Sequence, residues 1–248
     1  MSAVVEFRGA SYLIGERRIL NKIDLTVEAG ETLVLLGRSG SGKTTALKMV
    51  NGMVFPSTGE VLVEGKSTTA WDSVRLKRRI GYVIQEIGLF PHYTVAQNVG
   101  LVPHLEKWDA VRIRDRVDAL LRQVGLDPLH FAARYPAQLS GGQRQRVGVA
   151  RALAADPDVL LFDEPFGAVD PVTRVELQKQ FLELRTSLGK TAIFVTHDVR
   201  EALMLASRIV LLRNGAVELA ATPREFTEAA SREARAFLDC LDFAAPPP

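Results

Sequence analysis

The run Gly37-Arg38-Ser39-Gly40-Ser41-Gly42-Lys43-Thr44-Thr45 matches the pattern G-x-x-x-x-G-K-[ST]. Glycines at this spacing let backbone N–H groups curl around a phosphate, and a helix opening at the lysine adds the positive end of its dipole. Lys43 is expected to reach the β- and γ-phosphates of a nucleoside triphosphate, and the Thr44 hydroxyl to ligate Mg²⁺. A second candidate is Val159-Leu160-Leu161-Phe162-Asp163-Glu164, an apolar run that ends in two carboxylates. A buried strand would deliver the pair to the phosphate site, Asp163 holding Mg²⁺ through water and Glu164 polarising the attacking water as general base. The third is Leu139-Ser140-Gly141-Gly142-Gln143. Ser140 suits a helix N-cap, and Gly141 and Gly142 would expose backbone N–H groups at a second anion-binding helix start.

These groups need elements to carry them. The apolar run Thr32–Leu36 precedes the phosphate loop and a helix-compatible Ala46–Val50 follows it, stopping near Asn51-Gly52. Val4–Phe7, Ile23–Val27 and Gly59–Val63 are short runs rich in β-branched residues, so the first 64 residues read as β-rich. Ile80–Ile84 is a further strand candidate, with Gln85 just after it. Between Thr94 and Leu139 the apolar spacing becomes helical, through Val111, Val117, Leu120, Leu121 and Val124, with Gly125 as a stop. The helix opened by Ser140 runs past Arg146 and Arg151 to Ala155, before Asp156-Pro157. Strands return at Val159–Phe162, Thr191–Val195 and Ile209–Leu212, and Asn214-Gly215 signals a turn. Alternating strands and helices imply an α/β fold with a largely parallel sheet, an N-terminal antiparallel β part and a helical lobe. The expected organisation is a single domain over 1–240, with 1–93 and 140–222 as catalytic core, 94–139 as helical lobe, and 241–248 as a frayed tail.

Bulk composition narrows the function. The chain has 248 residues, 47% hydrophobic and 24% charged, with a net charge of +2. So small a charge points to no dedicated nucleic-acid surface. The basic stretches Arg75–Arg79 and Arg112–Arg116 alternate with apolar residues and read as solvated helix faces. Cys240 is the only cysteine, which excludes an intrachain disulfide and fits a reducing compartment. No run approaches the length of a membrane span, and Glu6 and Arg8 argue against a signal peptide. A cytoplasmic protein, able to dock on a membrane partner, is expected.

In the order phosphate loop, Gln85, Leu139–Gln143, Asp163-Glu164, Ala168-Val169-Asp170 and His197, the chain resembles the ATP-binding-cassette (ABC) ATPases. The resemblance extends from about Val4 to Pro223, and the Leu139–Gln143 signature separates that family from other phosphate-loop ATPases. It implies ATP and Mg²⁺ as ligands. It implies that Tyr12 stacks on adenine, although a half-buried strand tyrosine is the competing reading. Gln85 would touch Mg²⁺ and the attacking water and link the site to the helical lobe. His197 would contact the γ-phosphate, and Asp170 would lie at a subunit interface, beside Val169 where leucine is usual. In this family the signature caps the γ-phosphate bound by the opposite subunit. One phosphate loop and one signature per chain therefore imply an ATP-dependent homodimer.

The resemblance leaves open which ABC protein this is. A DNA-repair type should carry coiled-coil arms, and a translation-associated type usually carries two cassettes; the chain has neither. A transporter motor with separate permease subunits, peripheral on the cytoplasmic face of the membrane, is the remaining reading. Segments Ile80–His92, Val102–Trp108 and Asp170–Gln178 resemble the importers of osmoprotectants such as glycine betaine, choline and proline. A relative serving another solute or lipid is the alternative. An extracytoplasmic solute-binding protein would complete the importer. Ile87, Leu89 and Phe90 form a candidate docking patch for the permease, against the alternative that they pack internally. Many members of that subgroup append regulatory domains, whereas the sequence stops at Pro248, so regulation through such domains is not expected.

Overall fold

The computed structural model describes residues 3–85, 88–167 and 169–242. Glu86, Ile87, Ala168 and the tail from residue 243, all assigned expectations above, lie outside them. In chain order the first elements are β1 (Ala3–Ile14), β2 (Arg17–Glu28), β3 (Thr32–Leu36), α1 (Lys43–Val50), β4 (Thr58–Val63), β5 (Lys66–Ser67), α2 (Ser73–Arg79) and β6 (Ile80–Val83). Next come α3 (Val95–Leu105), α4 (Ala110–Gln123), α5 (Pro128–Phe131), a 3₁₀ turn at Pro136–Gln138, α6 (Gly141–Leu153), β7 (Val159–Asp163) and α7 (Pro171–Leu188). The remainder is β8 (Thr191–Thr196), α8 (Val199–Leu205), β9 (Arg208–Arg213), β10 (Ala216–Ala221), α9 (Pro223–Thr227) and α10 (Arg232–Asp242). The chain divides into two compact units, Met1–Leu76 with Thr191–Pro248, and Lys77–Lys190.

The first unit holds the antiparallel sheet β2-β1-β4-β5, as the β-rich N-terminus leads one to expect. Along β2, Ile23, Leu25 and Val27 are buried while Asp24 and Thr26 are exposed, the alternation of a sheet with one covered face. The unit also holds β10-β9-β3-β8, in which β3 runs parallel to both β8 and β9. All five residues of β3 and all six of β8 are buried. That explains their unbroken apolar sequence, because a parallel strand covered on both faces has no solvent side. The hairpin β9–β10 adds an antiparallel edge, turning through Asn214 and Gly215, both at positive φ.

The second unit pairs β6 with β7 in parallel and packs α3, α4 and α6 against one another. The helical stretch expected from Thr94 to Leu139 comprises α3, α4 and α5, and Gly125 follows the end of α4 as the expected stop. Asp109 caps α4 and Asp127 caps α5, while Lys107 and Gly125 take positive φ between the pieces. The Arg112–Arg116 stretch is only partly solvated. Arg116 turns inward, donating to the carbonyls of Leu153 (2.8 Å) and Ala154 (3.2 Å) at the C-terminal end of α6. Those carbonyls have no partner within the helix, and a cation there also complements its dipole. Among the described residues, no helix is long and apolar enough to cross a membrane.

Candidate functional site

In the first unit the buried strand β3 ends at Leu36 and the chain turns through the phosphate loop into α1. Two glycines are required here by their surroundings. A Cβ on Gly42, which sits at φ 99°, would lie 2.5 Å from Leu20 Cδ2. A Cβ on Gly37 would collide with the carbonyl of Leu212 and lie 2.7 Å from Ser41 Oγ. Lys43 is buried, and its ammonium donates to the carbonyls of Gly37 (2.7 Å) and Arg38 (3.0 Å). The lysine therefore folds back over its own loop and fixes the loop's curvature.

What remains in the loop suits an anion. Thr94, Asp109, Ser140 and Asp198 cap the starts of α3, α4, α6 and α8 with their side chains. By contrast α1 starts at Gly42 with no side-chain cap and no acidic residue in its first turn. Its positive end is thus not neutralised from within. Ser41 is buried, and its hydroxyl finds no hydrogen-bond partner in the protein. A phosphate oxygen would satisfy that donor. Thr44 and Thr45 follow in the first turn of α1, half-buried, and Ser39 and Gly40 form the exposed tip.

Two other expected residues join the loop's surroundings. The rung Leu36↔Thr196 pairs the ends of β3 and β8, so Gly37 and His197 leave neighbouring strand ends. His197 is exposed, on a backbone pinned by its neighbours: Thr196 Oγ1 donates to the buried Glu201 (2.6 Å) and accepts from the Asp198 amide (3.0 Å). Tyr12 is half-buried on β1 and pairs with Leu20, the residue against which Gly42 packs.

In the second unit the rung Val83↔Phe162 sends Gln85 and Asp163-Glu164 out from adjacent strand ends. Gln85 Nε2 lies 3.4 Å from Glu164 Oε2, bringing together two residues that the sequence could relate only through the family pattern. Asp163 is buried and accepts from the Tyr82 hydroxyl at 3.3 Å. Burial, and next the charge of Asp163, push the Tyr82 phenol well above its ordinary pKa, so it stays a proton donor to that carboxylate. Glu164 sits at φ 45°, a left-handed conformation that costs a residue with a Cβ roughly 1–2 kcal/mol. Strain of this kind commonly collects where function holds a side chain in place.

The helix start at Ser140 forms as its sequence implies. Ser140 Oγ accepts from the Gln143 amide (3.2 Å), and Gln143 Oε1 accepts from the Ser140 amide (2.9 Å), a reciprocal capping box. The two glycines behind it differ. Gly141 is half-buried, but Gly142 is buried, and a Cβ there would strike Thr173 Cγ2 on α7. The absent side chain at 142 serves close packing. Thr173 in turn donates its amide to Asp170 Oδ1 (3.0 Å), a bond that, with the Thr173 hydroxyl, lowers the Asp170 pKa. Val169 is buried and Asp170 exposed. Tyr82, Thr173 and Glu201 carry no motif of their own, and only folding shows their place.

Phe90 is exposed, and its ring packs with those of His92 and Tyr93 at centroid distances of 6.2 and 5.4 Å; Leu89 is half-buried. The fully buried Asn98 holds this turn, accepting from the Phe90 amide and donating to the carbonyls of Phe90, Tyr93 and Thr94. Arg151 of α6 donates to the Gly88 carbonyl at 2.6 Å from the other side.

Among the described residues no cluster of three His, Cys, Asp or Glu side chains forms a metal cage. The half-buried Thr44 hydroxyl on α1 and the buried Asp163 carboxylate at the end of β7 are each oxygen donors of the kind Mg²⁺ takes, one or two protein ligands together with substrate phosphates and water.

The sequence model of the ABC transporter family matches residues 20–167. The glycine betaine/carnitine/choline transport ATP-binding protein of Bacillus subtilis is 48% identical over 85% of this chain, which spans about half of that relative's length, 55%. The glycine betaine uptake system ATP-binding protein of Escherichia coli is 50% identical over 86% of this chain and 69% of its own. A solved dimeric ATP-binding cassette in a post-hydrolysis state, bound to ADP and phosphate, superposes with a TM-score of 0.78 at 34% identity, over 89% of this chain and 99% of that one. The order of its motifs, its α/β architecture and these matches agree, and the chain belongs to the ABC transporter family.

Proposed function

We propose that this chain is the ATP-hydrolysing motor subunit of an importer of quaternary-amine osmoprotectants. The observation that carries it is the phosphate loop: an uncapped helix start, an ammonium seated on the carbonyls of Gly37 and Arg38, and a buried Ser41 hydroxyl without a protein partner. The backbone of Gly37–Thr45 cradles the phosphates, and Lys43 offsets their charge. Tyr12 stacks on the adenine. Glu164 is the general base that takes the proton of the attacking water, with Gln85 orienting both, and His197 contacts the γ-phosphate. Thr44, Asp163 and Gln85 hold Mg²⁺, which when bound neutralises charge on the phosphate oxygens. Ser140, Gly141, Gly142 and Gln143 present the signature helix start to the nucleotide of a second copy; the dimeric state of the solved cassette supports an assembly of two chains. The working assembly is a homodimer on the cytoplasmic face of the membrane, bound to permease subunits and served by a solute-binding protein.

The solute class rests on the substrates of the relatives, because no residue of this chain is proposed to touch the solute. It is tested in vesicles holding this chain with its permease. Uptake of labelled glycine betaine or choline should require both ATP and Mg²⁺. ATP hydrolysis that proceeds with no uptake of any quaternary amine would remove the solute class and leave the motor.

A further inference from the structure

Helix α10 lies outside the residues matched by the family model and contains none of the motifs discussed above, yet it reaches the phosphate loop. Glu233 on its first turn makes a two-pronged pair with Arg38, Oε1 to Nε at 2.5 Å and Oε2 to Nη2 at 3.5 Å. The carboxylate side is well buried, at 13% exposed, while the guanidinium is 69% exposed. The helix start is itself anchored. Ala234 is fully buried, and its amide donates to Ser231 Oγ, which donates to Glu218 on β10 at 2.6 Å. Farther along, α10 packs on α8, the helix that follows His197. Arg38 also supplies one of the two carbonyls that seat Lys43. A chain of contacts therefore runs from β10 through Ser231 and Glu233 to Arg38 and on to the Lys43 ammonium.

We propose that Glu233 is a positioning residue for ATP binding, holding the Arg38 corner of the phosphate loop so that its carbonyls seat Lys43. The geometry gives the pair a direction: the fork of Arg38 is turned toward α10, with Glu233 accepting from two of its nitrogens. Chiefly through the hydrogen bond and then the charge of Glu233, the Arg38 pKa is held above its usual value. The proposal rests on the ATPase reading above, and its test keeps the two apart.

The test measures KM for ATP and kcat in Mg²⁺-dependent hydrolysis by the purified full chain, with thermal midpoints as a check on folding. The pair is open to solvent on its Arg38 side and sheltered on its Glu233 side, so the effect should be modest and Glu233→Gln should raise KM about three- to fivefold. Because the pair acts on binding, kcat should stay within about twofold. Glu233→Asp, which keeps the charge on a shorter stem, should fall between. In the background of Arg38→Ala, adding Glu233→Gln should change KM no further, the non-additivity expected when one residue acts through the other. An unchanged or lowered KM in Glu233→Gln overturns the proposal, as does full additivity with Arg38→Ala. If Glu233→Gln folds poorly, Glu233→Asp carries the same comparison. A wild-type protein without ATP turnover would instead overturn the ATPase reading.

Discussion

Ser41 carries a hydroxyl that is buried and meets no protein partner, a state that costs a folded protein about 1–3 kcal/mol. Such a cost is tolerated where a ligand removes it. Ser41→Ala should therefore leave the thermal midpoint unchanged or slightly raised while weakening ATP binding by about ten- to a hundredfold, since a hydrogen bond to a charged oxygen contributes ~1.5–3 kcal/mol. Nucleotide titration beside a melting curve measures both. Loss of stability with unchanged ATP affinity would show that Ser41 belongs to the fold alone. Lys43 and Glu164 share this logic from the opposite direction, because the fold holds each in place: one by two loop carbonyls, the other at φ 45° beside Gln85.

At the scale of elements, the start of α6 shows how a motif depends on a neighbour it does not name. Gly142→Ala places a Cβ against Thr173 Cγ2, so it should destabilise the chain by about 1–3 kcal/mol, the range for forcing an atom into a filled site. Thr173→Ser removes that methyl, and the double variant should regain much of the loss while keeping Asp170 capped. Failure of Thr173→Ser to rescue would place the strain elsewhere. This case also marks how far the sequence could be read. The buried runs of β3, β7 and β8, the cap at Ser140 and the turn at Asn214-Gly215 are local signals, and they appear where spacing and residue type put them. Gln85 meeting Glu164 was accessible only through the family's motif order. The contacts of Tyr82 with Asp163, Thr173 with Gly142 and Glu233 with Arg38 join positions far apart in sequence. No period or cap encodes them. Within the Thr94–Leu139 stretch Gly125 was legible as a stop, whereas the helix starts capped by Asp109 and Asp127 were not placed by apolar spacing.

At the scale of the whole molecule, the proposed motor role requires the chain to turn ATP hydrolysis into work on partners. The turn at Phe90 is a candidate for that contact: an exposed aromatic ring on a backbone held by the buried Asn98. Phe90→Asp should abolish permease binding and coupled uptake, with hydrolysis by the isolated chain retained, because the exposed ring adds little to the core. Co-purification and vesicle transport test this, and a collapse of folding would show instead that Phe90 is structural. The most direct test of the central claim is hydrolysis and assembly state of Glu164→Gln, measured together by phosphate release and light scattering with ATP and Mg²⁺. Glutamine keeps the shape of the side chain and removes the base. The account predicts hydrolysis lowered on the order of 10²–10⁴-fold, retained ATP binding, and a long-lived dimer that forms only with ATP. Near-normal turnover by Glu164→Gln would contradict it.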